Sequence, residues 1–150
     1  MRYKTEFIFN ARPEEIFDAI HRYKVERNPN KYFLGNFTKL FIDMDFKVLT
    51  TETLGLGATY GWNIKVFGIP TLKFTERIVE WQKGRTVAYE AVSGWKMFFR
   101  IDLESVGEAT LVKVQLDYST GSRFFDRLPR LLVVSGLKRA SQNLIKRGLE

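Results

Sequence analysis

The chain has 150 residues, 45% of them hydrophobic and 27% charged, the composition of a globular rather than a disordered protein. It has no cysteine and one histidine, His21, which excludes disulfides, thiolate metal sites and multi-histidine metal centres. The net charge of +7 is concentrated at the end, where residues 122–150 carry seven Lys/Arg against two acids.

Arg2 to Asn10, rich in aromatic and β-branched residues, reads as a strand. Pro13 suits a first helical position, and Glu14 and Glu15 favour the positive end of the helix dipole. Ile16, Ile20 and Tyr23 then share a helical stripe. The chain turns around Asn28-Pro29-Asn30, and Lys31 to Gly35 is expected as a short second helix. From Thr38 the period becomes two: Leu40, Ile42, Met44, Phe46 and Val48 alternate with Lys39, Phe41, Asp43, Asp45 and Lys47, as in a strand with one apolar face. Gly55 and Gly57 mark a turn. Tyr60, Trp62, Ile64 and Val66 alternate next, and Gly68 and Pro70 break the chain again. Further strands run from Thr71 to Trp81, through Val87, Tyr89 and Ala91, through Met97, Phe99, Ile101 and Leu103, and through Val112, Val114, Leu116 and Tyr118. Six successive strands with short turns predict an antiparallel meander. Phe124, Phe125 and Leu128 form an apolar cluster before Pro129. Beyond it Val133, Gly136, Leu137, Ala140 and Leu144 form one stripe of a helix of roughly 20 residues, ~30 Å long.

Strand, two helices, six strands and a long helix make an α+β fold: a strongly curved seven-stranded antiparallel sheet wrapped around the C-terminal helix. The segments Ala11-Arg12-Pro13-Glu14-Glu15-Ile16-Phe17, Gly55-Leu56-Gly57-Ala58-Thr59-Tyr60, and Glu76 to Trp81 with Gly84 to Tyr89 carry a resemblance. They resemble the helix-grip fold of the START/Bet v 1-like (SRPBCC) superfamily, in particular its polyketide cyclase/dehydrase and lipid-transport group. The resemblance covers nearly the whole chain, residues 1–150 as a single domain. It implies an apolar ligand held between sheet and helix; it does not imply one activity, because such folds host unrelated functions.

The residues point the same way. There are 22 aromatic residues, 15% of the chain, a surplus over what a small core needs. Gly136 and Ala140 add almost no volume to the middle of the helix stripe. The facing strands offer Phe46, Trp62, Ile64, Tyr89, Met97, Phe99, Ile101, Leu116 and Tyr118, and the helix offers Val133, Gly136, Leu137 and Ala140, as the walls of an apolar pocket; the alternative is a filled core. Glu76 and Arg77 lie on opposite faces of one strand. One of them points inward, where an unpaired charge is costly. If it is Glu76, it becomes a candidate polar group in the pocket and a weak candidate catalytic residue, beside Glu90, His21 and the hydroxyls of Tyr60, Tyr89 and Tyr118; the other reading is a strand-end charge in solvent. His21 falls off the Ile16/Ile20/Tyr23 stripe and is expected at the surface or an edge. Asp43, Asp45, Asp102, Glu104 and Asp117 occupy polar phases and are expected in solvent.

Three functions compete. A carrier or sensor of a lipid, isoprenoid or polyketide-like molecule ranks first. A cyclase, dehydratase or hydrolase acting on such a ligand ranks second, since it needs an acid or base with a shifted pKa in the pocket. The third is an interaction module whose basic helix, through Arg123, Arg127, Arg130 and Lys138, meets RNA, a ribosome or an anionic membrane surface. No cofactor or metal pattern accompanies any of these. No apolar run approaches the ~18 residues of a membrane span, and Met1 to Glu6 lack a signal-peptide core, so the expectation is a cytoplasmic protein.

Overall fold

In the computed structural model, which describes residues 1–119, 127 and 130–150, the chain starts with strand β1 (Arg2–Phe9) and helix α1 (Pro13–Glu26). Arg12 donates its backbone N–H to the Glu15 carboxylate at 2.9 Å, closing the exposed start of α1. A short α2 (Pro29–Phe33) follows, then a 3₁₀ turn at Thr38–Leu40. The meander is β2 (Ile42–Val48), β3 (Thr59–Val66), β4 (Ile69–Gln82), β5 (Thr86–Ser93), β6 (Lys96–Val106) and β7 (Ala109–Ser119). Helix α3 (Arg130–Leu149) ends the chain. The strands form one antiparallel sheet in the order β1-β7-β6-β5-β4-β3-β2, which is the helix-grip architecture. The cluster Phe124, Phe125 and Leu128, with Pro129 and Arg123, lies outside the described residues.

Three boundaries differ from expectation. The second helix begins at Pro29, not Lys31, because Asn28 accepts from the Lys31 N–H and proline tolerates the first helical position. The second strand starts at Ile42, since the apparent alternation through Leu40 is spent on the 3₁₀ turn. Pro70 does not break the chain; it sits near the start of β4, opposite a register shift at Ile64/Lys65, where strands accept proline.

Register shifts in β4 at Thr75/Glu76 and Ile78/Glu80 bend the sheet, as bulges do. The second changes which residues face inward. Phe74, Glu76 and Ile78 are buried, whereas beyond the shift Trp81 packs edge-on against Phe17 at 4.9 Å between ring centroids.

The concave face is filled at one end only. There Phe7, Ile78, Val87, Leu103 and Val112 pack with Ile16 and Phe17 of α1. Helix α3 joins this core through Ser141, Leu144, Ile145 and Gly148, the buried residues of its second half. A Cβ on Gly148 would lie 2.2 Å from the Ala19 carbonyl oxygen, so glycine is what lets the two backbones meet. Gly136 corrects the expectation that it lies in the contact face: it is exposed, and a Cβ there would meet nothing within 4 Å. Gly148→Ala is therefore expected to destabilise the protein by about 1–3 kcal/mol, the usual range for overpacking, and Gly136→Ala to stabilise it by up to about 1 kcal/mol through helix propensity. Urea unfolding of the two variants reads both signs.

Candidate functional site

The unfilled half of the concavity is a cavity of about 240 Å³. Trp62 and Ile64 of β3, Tyr89 of β5, and Met97, Phe99 and Ile101 of β6 line it, with Leu137 and Ala140 of α3 opposite. Met44, Phe74, Phe33, Ile20, Tyr23 and Leu144 complete the apolar wall. Few of its lining residues carry polar atoms: Glu76, Tyr23, Tyr89, Ser141 and Trp62.

Not every candidate wall residue reaches it. Phe46 packs one layer behind, against Tyr60 and Trp62 at 5.3 and 4.8 Å between centroids. Tyr118 stacks on Tyr3 at 5.7 Å at the β1–β7 edge of the sheet. Leu116 sits beside it on β7 and, like Val133 and Gly136 in the first half of α3, is not part of the wall. Those α3 positions fall outside because the helix reaches the cavity only from Leu137 onward.

Glu76 is the inward residue of its pair. It is 6% exposed, while Arg77 faces solvent. Its Oε1 lies 3.6 Å from Lys24 Nζ, an ion pair too long for a hydrogen bond. Lys24 comes from α1 and is completely buried. Its ammonium has no hydrogen-bond partner among the described residues. It lies instead over the faces of Tyr89 and Tyr60, 3.7 and 4.1 Å from their centroids. Ring quadrupoles and one carboxylate thus replace its water. Burial pulls the Lys24 pKa down to about 8, against the opposing pull of Glu76.

His21 corrects the surface expectation: it is 2% exposed. Its Nδ1 is 2.6 Å from the Phe17 carbonyl and its Nε2 is 2.7 Å from the Tyr89 hydroxyl. A carbonyl only accepts, so Nδ1 carries the proton, and bare Nε2 accepts from the tyrosine. Tyr89 thereby keeps its oxygen lone pairs, and burial raises its pKa well above that of a free phenol. Sequence reasoning missed His21 and Lys24 because the Ile16/Ile20/Tyr23 stripe marks only one side of α1. Phe17, His21 and Lys24, at i, i+4 and i+7, form a second stripe, and that spacing was the available signal.

Burial, then the positive charge of Lys24, lowers the His21 pKa from 6.5 to about 3, against the Phe17 hydrogen bond. The unfolded chain gains a proton near pH 6.5 that the folded chain refuses until about pH 3. Stability present above pH 6.5 is thus lost as pH falls through that window. His21→Asn should flatten the dependence of unfolding free energy on pH between 6 and 4 by up to about 1.4 kcal/mol per pH unit, the slope of one proton. Urea titrations at several pH values would read it; parallel wild-type and variant slopes would refute it.

These elements define a helix-grip fold. Among solved structures the chain is similar to protein CV1439 of Chromobacterium violaceum, with a TM-score of 0.68, 16% identity, and 97% and 96% of the two chains covered. It is similar to TTHA0849 of Thermus thermophilus, with a TM-score of 0.67, 17% identity, and 99% and 94% covered. It is also similar to a norcoclaurine synthase of Thalictrum in complex with a transition-state analogue, with a TM-score of 0.68, 13% identity, and 99% and 93% covered. No family model matches the chain, and no curated protein does. No helix among the described residues is long and apolar enough to cross a membrane.

Proposed function

We propose that this chain is a carrier or sensor of an amphipathic small molecule, held between sheet and α3 with its apolar body against the aromatic wall and a hydroxyl or amine donating to Glu76. The observation that carries this reading is a single carboxylate, itself backed by a buried lysine, in an otherwise apolar cavity. An unfilled apolar space is normally a packing defect; one that also keeps a charged acceptor on its wall has a use for both. A norcoclaurine synthase of the same fold holds a transition-state analogue, which supports small-molecule binding in this architecture. Fluorescence titration with N-phenyl-1-naphthylamine, a neutral ring compound with one N–H, tests the reading together with the cavity-filling variant treated in the Discussion.

The second reading is an enzyme acting on the same ligand. The chain Glu76, Lys24, Tyr89 and His21 favours it, because it puts a base and a phenol on one wall. Under it, Glu76→Gln removes turnover and leaves binding of the apolar body.

A further inference from the structure

The end of the sheet nearest the cavity is built differently from the other. In β3 the cavity is lined by Trp62 and Ile64 but not Tyr60, and in β6 by Met97, Phe99 and Ile101 but not Leu103. The hollow therefore lies toward the β3–β4 and β5–β6 turns. Antiparallel pairing brings the approach to β2 to the same end, since Ile42 pairs with Val66.

Large apolar side chains stand in solvent there. Phe37 is 74% exposed, Leu40 77%, Phe67 77% and Ile69 67%. They form one patch. Phe41 lies 5.0 Å from Phe37 and 5.6 Å from Phe67 between centroids, and the Phe67 N–H donates to the Phe41 carbonyl at 2.7 Å. Phe67 also occupies a left-handed backbone, φ 51°, beside Gly68 at φ 76°. Such a two-residue turn favours asparagine or glycine at the first place, and a bulky residue there is strained. The chain holds a phenylalanine out in water at a position where it costs conformational energy.

Charge accompanies the patch. Residues 31–42 and 64–75 contain Lys31, Lys39, Lys65 and Lys73 and no acid; Lys31 pairs with Glu26 and Lys65 with Asp45, while Lys39 and Lys73 have no ion pair among the described residues. β7 ends at the same end of the sheet, where Ser119 pairs with Lys96, and the following helix opens with exposed Leu131 and Leu132 beside Arg130. Exposed rings and aliphatic chains flanked by lysine and arginine match a bilayer interface bearing anionic headgroups.

We propose that this end of the molecule docks on an anionic phospholipid surface, with Phe37, Leu40, Phe67 and Ile69 entering the headgroup layer and the surrounding lysines and arginines meeting phosphates. The patch begins three or four residues from Met44, Ile64 and Leu72. Met44 and Ile64 belong to the cavity wall, so apolar surface runs from the docking face toward the cavity. The docking itself does not require the small-molecule reading to hold.

Flotation of the purified protein with vesicles of phosphatidylcholine alone, and with vesicles of roughly 3:7 phosphatidylglycerol:phosphatidylcholine by mole, which carry an anionic surface, tests it. The expected result is binding to the anionic vesicles at least about tenfold tighter than to the neutral ones, weakened by added salt. Phe37→Ser/Leu40→Ser/Phe67→Asn should lose that binding while keeping the wild-type circular dichroism and a melting temperature no lower than wild type. Leu40→Glu is the single-residue check, and it should weaken binding severalfold. Equal flotation of wild type and both variants overturns the proposal. So does no flotation of the wild type, or a concentration-dependent dimer that the same substitutions dissolve, which would assign the patch to a second copy. Binding to RNA but not to anionic vesicles overturns it as well.

Discussion

Lys24→Met is expected to destabilise the protein by about 3–5 kcal/mol at neutral pH, the cost of removing one partner from a buried ion pair. Lys24 is wholly buried and Glu76 nearly so, so the remaining carboxylate would face ring edges and methyl groups instead of a cation. The double variant Lys24→Met/Glu76→Gln should recover most of the loss, because replacing both charges removes the desolvation cost along with the attraction. Glu76→Gln alone should cost less than Lys24→Met. Its lysine keeps the faces of Tyr89 and Tyr60, and the lowered pKa brings the neutral amine within reach. Chemical denaturation of the three variants and wild type gives the coupling energy as a double-mutant cycle. Additive single-variant losses would mean that the 3.6 Å contact does no energetic work and that the pair is not what keeps the charge in the core.

The architecture was legible because its strands alternate cleanly. In β6 and β7, Ile101, Leu103, Val112 and Val114 are buried while Asp102, Lys113 and Gln115 keep partial contact with solvent, and two-residue periodicity carries that information directly. Even here one expectation shifts: Asp102 is not simply solvated but accepts from Arg100 and Thr86 at 2.8 Å each. The cavity wall was legible in part, because inward phase in a strand identifies Trp62, Ile64, Met97 and Phe99 without saying how far along the strand the core is filled. That distance depends on where α3 makes its close approach. Gly148 against Ala19 decides it, not Gly136, and no pattern within the helix distinguishes the two glycines. The orientation of Glu76 was open because β4 changes phase at its bulges, and a register shift leaves no mark on composition. His21 and Lys24 were hidden for a related reason. A helix packed on two sides buries polar residues that a single-stripe reading assigns to water.

The cavity-filling variant Ala140→Trp is expected to lower affinity for N-phenyl-1-naphthylamine by more than about tenfold, or 1.4 kcal/mol, without destabilising the fold. Ala140 lines the cavity from its exposed rim, in a stretch of α3 with no buried residue between Arg130 and Ala140, so a large side chain there has room to fold over the mouth. The void of about 240 Å³ equals the share of about eight liquid waters at ~30 Å³ each, and an indole occupies much of it. Burying that indole in an apolar hollow gains transfer free energy at roughly 25 cal/mol per Å², so the melting temperature should hold or rise while binding falls. That opposite movement separates lost space from lost structure, which would lower both. Ala140→Ser is the control, with the helix unchanged and the space left open, and it should bind as wild type does. Headgroup selectivity is then read in the Lys24→Met/Glu76→Gln background, where no buried charge is stranded. Preference for a long-chain alcohol over its methyl ether should fall by about 1 kcal/mol, the difference between a hydrogen bond to a charged acceptor and one to the neutral Gln carbonyl, while affinity for the apolar body persists. Wild-type affinity in Ala140→Trp would place the ligand elsewhere. Unaltered alcohol preference in the double variant would keep the cavity as the site but remove Glu76 as the group that reads the ligand's polar end.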